Sequence, residues 1–153
     1  MTSIALICYL CQPQLLWRAV YQEGEVREAY FSKRRDRKAA LKFLKKTMKR
    51  YGNPKRIVTD KLGSYRAAMN VLGNASIQDT KKWHNNRAEN SHQPFRRRER
   101  AMLKFRSCAT LQKFVSIHSS IHNHFNHDRH QSLRPTFKEN RAKALAEWTQ
   151  VAA

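Results

Sequence analysis

The first part of the chain alternates short apolar stretches with turn residues. Residues 4–10 are almost wholly apolar and predict a buried strand that ends before Pro13. Two further strands are predicted at 15–21 and 25–32, and Gly24 between them is typical of a hairpin turn. These patterns predict a small sheet at the N-terminal end of the chain.

Helical spacing begins after Asp36, which can cap a helix that runs to about Tyr51. Apolar residues recur there every three or four positions, and lysines cover the opposite face. A strand is predicted at 56–59 and a second helix at 64–72. Because this strand follows a helix, we expect the chain to cross over and return to the same sheet.

The second half of the chain is mainly helical in pattern. Residues 74–85 are polar and predict irregular structure, and helical spacing begins at Asn86. Apolar stripes over 110–125 and 136–148 predict two further helices, separated by Arg134-Pro135. We expect one domain, since neither the sheet half nor the helical half carries much core alone.

Composition narrows the class of protein. The 153 residues fit one domain, and 41% hydrophobic residues exclude a disordered basic tail. Three cysteines favour a reducing compartment, and the longest N-terminal apolar run is too short to cross a bilayer. The net charge of +20 points to a polyanion partner, most simply nucleic acid.

Two carboxylates stand out against this basic background. Asp60 follows the strand at 56–59, and ligands of α/β sheets collect at such strand ends. The structural alternative is that Asp60 closes a turn over 60–63. Glu89 stands three residues after Asn86, a spacing that forms a helix capping box. The functional alternative is that Glu89 and Asp60 share a Mg²⁺ or Mn²⁺ ion, which prefers oxygen ligands.

A block of arginines follows Glu89 closely. Charge runs are usually solvated faces, but this run is nearly all of one sign, and arginine binds phosphate in a bidentate manner. We therefore predict contacts to a phosphate backbone. The predicted DNA-binding residues are Arg87, Arg96, Arg97, Arg98, Arg100 and Lys104.

Histidine and cysteine spacing offers weaker evidence for a metal. His118 and His122 lie one helical turn apart, as in some zinc sites, but no HExxH motif is present and packed histidines are more common. Cys8 and Cys11 form a CxxC without a second pair, which favours two buried thiols over a zinc site.

Three strings of residues resemble a known family. They are Leu-Trp-Arg-Ala-Val at 16–20, Ile-Val-Thr-Asp-Lys-Leu at 57–62, and Asn-Asn-Arg-Ala-Glu-Asn-Ser-His at 85–92 with the arginine block behind it. The chain is similar from about Leu15 onward to the catalytic domain of bacterial insertion-sequence transposases of the insertion-sequence-six family. These enzymes belong to the DDE superfamily of retroviral-integrase-like proteins. The resemblance implies an RNase H-like α/β fold with a helical C-terminal part, its first strand replaced or damaged.

The resemblance also implies an active site of two aspartates and one glutamate that bind two divalent ions, Mg²⁺ or Mn²⁺. Asp60 matches the second aspartate and Glu89 matches the glutamate. The first aspartate has no match, because residues 1–14 contain neither Asp nor Glu. Counted from Trp17, it would fall near Ser3. We therefore expect a domain at 15–153 behind an unrelated or frame-shifted segment at 1–14, in an N-terminally truncated chain with impaired strand transfer.

By this resemblance the function is DNA transposition, with metal-dependent cleavage and transfer of DNA strands. The alternative is a non-catalytic remnant that binds DNA or an intact transposase. An RNA-binding domain is disfavoured, because neither an aromatic ribonucleoprotein strand nor a KH loop is present. The expected partners are the DNA of the element ends and target, and either further copies of the chain or an intact transposase. We expect a cytoplasmic, nucleoid-associated protein without membrane contact.

Overall fold

The computed structural model describes residues 3–11, 14–21, 24–81, 83–102, 105–127 and 132–153. The described residues form a five-stranded sheet with the strand order β3-β2-β1-β4-β5. The strands are β1 (Ser3–Cys11), β2 (Gln14–Tyr21), β3 (Val26–Ser32), β4 (Arg56–Thr59) and β5 (Gln78–Asp79). The helices are α1 (Arg37–Tyr51), α2 (Gly63–Leu72), α3 (Asn86–Ala101), α4 (Cys108–Phe125) and α5 (Arg134–Ala152).

Strand β1 lies at the centre of the sheet. It pairs antiparallel with β2 and parallel with β4. The side chains from Ile4 to Cys8 are all buried, because helices cover both faces of the sheet at this strand. A strand that is buried on both faces is apolar throughout, which explains the continuous apolar run in the sequence.

Helices cover the sheet in two layers. Helices α1 and α2 pack on one face, where Phe43 and Tyr65 contact the Trp17 ring of β2. Helices α3 and α4 contribute to the clusters on the opposite face, among them Ala88, Phe95 and Leu111. Strand order and layers confirm the RNase H-like α/β fold predicted above, with the predicted parallel return of β4.

Helix α1 forms as its sequence predicts. The Asp36 side chain accepts a hydrogen bond from the backbone N–H of Ala39 at 2.8 Å, which satisfies a donor of the first turn. The helix ends at Gly52, whose φ of 80° suits a residue without a side chain. The apolar face of α1 is buried, and its lysines lie on the exposed face.

Two boundary predictions in the second half are wrong. The region 74–85, predicted as irregular, contains a 3₁₀ turn at Ala75–Ile77 and the edge strand β5. A strand of two residues is too short to leave an alternating pattern. Arg134-Pro135, predicted to separate two helices, forms the start of α5, where proline is tolerated because its missing N–H is not needed.

The predicted capping box at the start of α3 is also wrong. Asn86 is the first residue of the helix, and Asn85 before it has helical backbone angles and makes no capping bond with its side chain. Glu89 therefore lies in the first turn of α3 without the capping role, and its backbone N–H donates to the Asn85 carbonyl at 3.2 Å.

The cysteines of β1 are buried free thiols, as predicted. Cys8 packs with the α1–α2 layer and Cys11 with the α3–α4 layer, so the two side chains lie on opposite faces of the sheet. None of the described helices is both long and apolar enough to cross a bilayer.

Candidate active site

Several chain segments meet at one edge of the sheet. Strands β1 and β4 are parallel, and β3 runs in the same direction as β1 because both are antiparallel to β2. The residues that end or follow these strands therefore lie at the same edge. We call this the carboxyl edge and define it by Tyr9, Arg35, Asp60 and, from α3, Glu89.

Asp60 is half-buried directly after β4. Its Oδ1 accepts a hydrogen bond from the backbone N–H of Leu62 at 3.2 Å, so the predicted turn is present. Burial raises the pKa of Asp60, the Leu62 bond and the Arg35 charge lower it, and the Glu89 charge raises it. The turn orients the carboxylate without occupying both of its oxygens.

Glu89 is exposed on the first turn of α3. Its charge raises the pKa of Asp60, and both carboxylates raise the pKa of Tyr9 after the larger effect of burial. Ala88, the residue before Glu89, packs in one cluster with Ile7 and Tyr9 of β1. The structure thus brings the two predicted carboxylates to the same edge of the sheet.

Strand β1 adds no carboxylate to this pair. Its face toward α3 carries Ala5, Ile7 and Tyr9. Leu6 pairs with Thr59, so the next position of the register puts Ile7 beside Asp60. Ser3, where the sequence distance placed the missing aspartate, pairs with Arg56 at the far end of β4.

Asp60 and Glu89 offer carboxylate oxygens, which are the ligands that a hard divalent cation prefers. Two carboxylates can hold such an ion when water completes its coordination. Within the described ranges no group of three or more His, Cys, Asp or Glu side chains could hold a metal ion. The third ligand that a two-ion site needs is therefore not supplied by the described part of the chain.

Sequence reasoning missed a buried arginine beneath α3. Arg18 of β2 is 1% exposed, and its Nη1 donates to the Ser91 carbonyl at 3.3 Å and to His92 Nδ1 at 3.0 Å. These bonds connect the middle of the sheet to the helix turn that follows Glu89. The sequence signal that could have identified it is a charged residue inside the otherwise apolar string Leu-Trp-Arg-Ala-Val, in a strand with both faces covered.

The neighbouring histidines stay neutral because of this arginine and their burial. Burial, then the Arg18 charge, lowers the pKa of His92 to about 2 and that of His118 to about 4. The same two causes lower the pKa of His122, whose ring stacks on that of His118 at 6.2 Å. A fixed guanidinium charge nearby disfavours a zinc ion between these two rings.

The arginine block divides between two sides of α3. Arg96 and Arg100 lie about two and three helical turns beyond Glu89 on the same stripe, whereas Arg98 lies on the opposite side. All are exposed, as is Arg97. Lys104 lies outside the described residues, as does the side chain of Arg87.

Three comparisons relate the chain to known proteins. A family model described as a DDE domain matches residues 11–128. The transposase for the insertion sequence-like element IS431mec of Staphylococcus aureus (strain Mu50) is 32% identical over 82 residues, which is 50% of this chain and 37% of that protein. The transposase for insertion sequence element IS257 in transposon Tn4003 of Staphylococcus aureus shows the same values.

The match therefore spans little more than a third of the length of these curated relatives, 37%. Among solved structures, the catalytic core domain of BIV integrase is 15% identical, with a TM-score of 0.49. That similarity covers 62% of this chain and 64% of the integrase chain.

Proposed function

This chain belongs to the DDE transposases of the insertion-sequence-six family, and from that premise we propose that it acts on the phosphodiester bonds of DNA during transposition. The observation that supports the proposal is that Asp60 and Glu89 lie at one edge of the sheet, where the Glu89 charge raises the pKa of Asp60. Two carboxylates held together in a strongly basic protein are the natural place for a divalent cation.

Asp60 and Glu89 are the residues that would hold Mg²⁺ or Mn²⁺. When bound, such an ion would polarise an oxygen of the phosphodiester as a Lewis acid. The turn at Leu62 orients Asp60, and the packing of α3 on the sheet fixes where Glu89 lies. Arg96 and Arg100 extend the same stripe of α3 and would bind DNA phosphates beyond the carboxylates.

We further propose that this chain alone is a weak catalyst. Ile7 stands beside Asp60, and no carboxylate on the described part of β1 completes the pair. A single ion would be held without the partner ion that the family mechanism needs. The domain boundaries at 1–14 and 15–153 remain part of this proposal, in which the first segment contributes the central strand β1.

A second candidate function is that of a non-catalytic partner that binds DNA or an intact transposase. The apolar side chains exposed on α5 favour association: Leu145 is 58% exposed and Trp148 is 40% exposed. Cleavage of element-end DNA by an intact transposase, assayed with and without this chain, distinguishes the two candidates. Inhibition by a chain with no cleavage of its own supports the second candidate.

Mn²⁺ titration tests the carboxylate pair directly. We expect Asp60→Asn and Glu89→Gln each to weaken Mn²⁺ binding at least about tenfold, because each removes one oxygen ligand with its charge. Glu139→Gln is the matched control, since this exposed carboxylate on α5 pairs with Lys143 on the same helix. Equal affinity in the wild type and all three variants would contradict the proposed site.

A further inference from the structure

Arg35 reaches across the carboxyl edge from the loop between β3 and α1. Its Nη2 donates to the backbone carbonyl of Cys8 at 3.1 Å. Cys8 follows Ile7, the residue beside Asp60 in the register of β1 and β4. The hydrogen bond therefore holds the guanidinium group next to the position of Asp60.

The contact uses a small part of the donor capacity of Arg35. A guanidinium group has five N–H donors, and the side chain is exposed. Arg35 makes no ion pair with another described residue. Its charge nevertheless acts on the site: it opposes the effect of burial on the pKa of both Cys8 and Asp60.

The two carboxylates repel an approaching DNA phosphate, and the positive charge of Arg35 can offset this repulsion. A DNA phosphate that approaches Asp60 and Glu89 meets two negative charges, so a fixed cation at the same edge lowers the free energy of its approach. Arginine suits this role, because its planar donors bind two phosphate oxygens at once.

The loop around Arg35 continues the positive surface. Lys33, Arg34 and Lys38 line an open groove of about 290 Å³ beside the loop. The one carboxylate of the loop, Asp36, is engaged as the cap of α1. A DNA backbone bound at Arg35 thus finds further cations along this groove.

We propose that Arg35 binds the DNA phosphate at the carboxyl edge, tethered through Cys8 beside the Asp60–Glu89 pair. This inference rests on the proposed function, because it takes the phosphate to be the one presented to these carboxylates. Arg35 is then a substrate-binding residue, distinct from the arginines of α3.

The test measures the coupling between Mn²⁺ and DNA rather than overall DNA affinity, to which many cations contribute. Mn²⁺ binding is titrated with and without a short blunt DNA duplex, in the wild type, Arg35→Gln, Arg35→Lys and, as a control outside the groove, Lys49→Gln in the exposed last turn of α1. We expect DNA to strengthen Mn²⁺ binding in the wild type, because a phosphate oxygen adds a ligand. Arg35→Gln should reduce that enhancement about tenfold, the value of one charge-assisted contact.

The other measurements separate phosphate binding from support of the fold. Without DNA, Arg35→Gln should bind Mn²⁺ as well as the wild type or better, because a cation beside the site is removed. Lys49→Gln should retain the full enhancement, and Arg35→Lys should retain part of it. Thermal melting of each variant confirms that it is folded.

Two results would overturn the inference alone: equal enhancement in Arg35→Gln and Lys49→Gln, or weaker Mn²⁺ binding by Arg35→Gln without DNA. The second result would mean that Arg35 only supports the strand end at Cys8. A wild-type chain that binds no Mn²⁺ would overturn the proposed function and this inference with it.

Discussion

Arg18 and His92 form a buried contact between the sheet and the helix that carries Glu89. The His92 ring lies between Tyr9, at 3.5 Å between ring centroids, and Phe95, at 5.2 Å. Its Nδ1 accepts a hydrogen bond from Arg18 Nη1, so the hydrogen of the neutral ring lies on Nε2. Protonation of His92 would replace this bond by a repulsion between two cations.

The buried contact predicts a loss of stability in acid. The unfolded chain binds a proton at His92 below a pH of about 6.5, whereas the folded chain resists protonation down to a pH of about 2. The unfolded state therefore binds more protons within this window. The free energy of unfolding should fall by about 1.4 kcal/mol per pH unit from this residue as the pH decreases.

The measurement is denaturant unfolding between pH 7 and pH 4 for the wild type and His92→Gln. Glutamine retains an acceptor for Arg18 but does not titrate. In this variant the slope of the free energy of unfolding against pH should therefore be smaller by the contribution of one proton. If the free energy of unfolding has the same slope against pH in His92→Gln and in the wild type, His92 is not held neutral by the fold.

At the level of elements, the register of β1 against β4 puts Ile7 beside Asp60. We predict that Ile7→Asp strengthens Mn²⁺ binding on the order of tenfold, because it adds a third carboxylate beside Asp60. Ser3→Asp on the same face of β1 is the matched control, since it lies four positions, about 13 Å, away along the strand.

Ile7 is buried, so an aspartate there also reduces stability. Ile7→Asn shares the cost of burying a polar group but lacks the charge, and circular dichroism reports whether each variant folds. The prediction fails if Ile7→Asp folds and binds Mn²⁺ no better than Ile7→Asn. Recovery of DNA cleavage by Ile7→Asp would support the proposed reason for weak catalysis.

The elements that could be predicted from the sequence are those with a long pattern or a specific end signal. Helix α1 has both, a regular stripe and the cap at Asp36. Strand β5 has neither, because it exists through its pairing with β4. The start of α3 misled the prediction, since a capping-box sequence occurs there while packing of Ala88 and His92 sets the helix.

At the level of the whole molecule, we expect the basic residues behind the net charge of +20 to contribute unequally to DNA binding, according to their positions. Arg96 and Arg100 lie on the stripe of Glu89, whereas Arg98 lies on the other side of α3. If the backbone follows that stripe, Arg96→Gln and Arg100→Gln should each lower the slope of log affinity against log salt by about 0.9. Arg98→Gln should leave the slope nearly unchanged.

The measurement is fluorescence anisotropy of a labelled duplex over a salt series. The variants carry equal charge changes, so their comparison separates position from net charge. Equal slopes for all three variants would contradict a path along the Glu89 stripe and indicate diffuse binding to the basic surface.

The candidate site could be predicted in part because two of its residues lie within recognisable strings of the sequence. Asp60 ends an apolar strand and Glu89 opens a helical pattern, so each is marked by its neighbours in sequence. Arg18 and Arg35 act through contacts to residues far along the chain, His92 and Cys8. Such contacts depend on the sheet pairing and leave no local spacing to detect.

Strand β1 lies at the centre of the sheet and also runs beside Asp60. The fold and the proposed chemistry therefore place different requirements on its side chains. Packing in the sheet requires apolar side chains along the nine residues of the strand, and many unrelated sequences meet this requirement. The proposed chemistry requires a carboxylate at one position. On the proposed function, a library of random apolar segments in place of β1 would retain many members when selected for folding. Selected for strand transfer, it would retain the few with an acid beside Asp60.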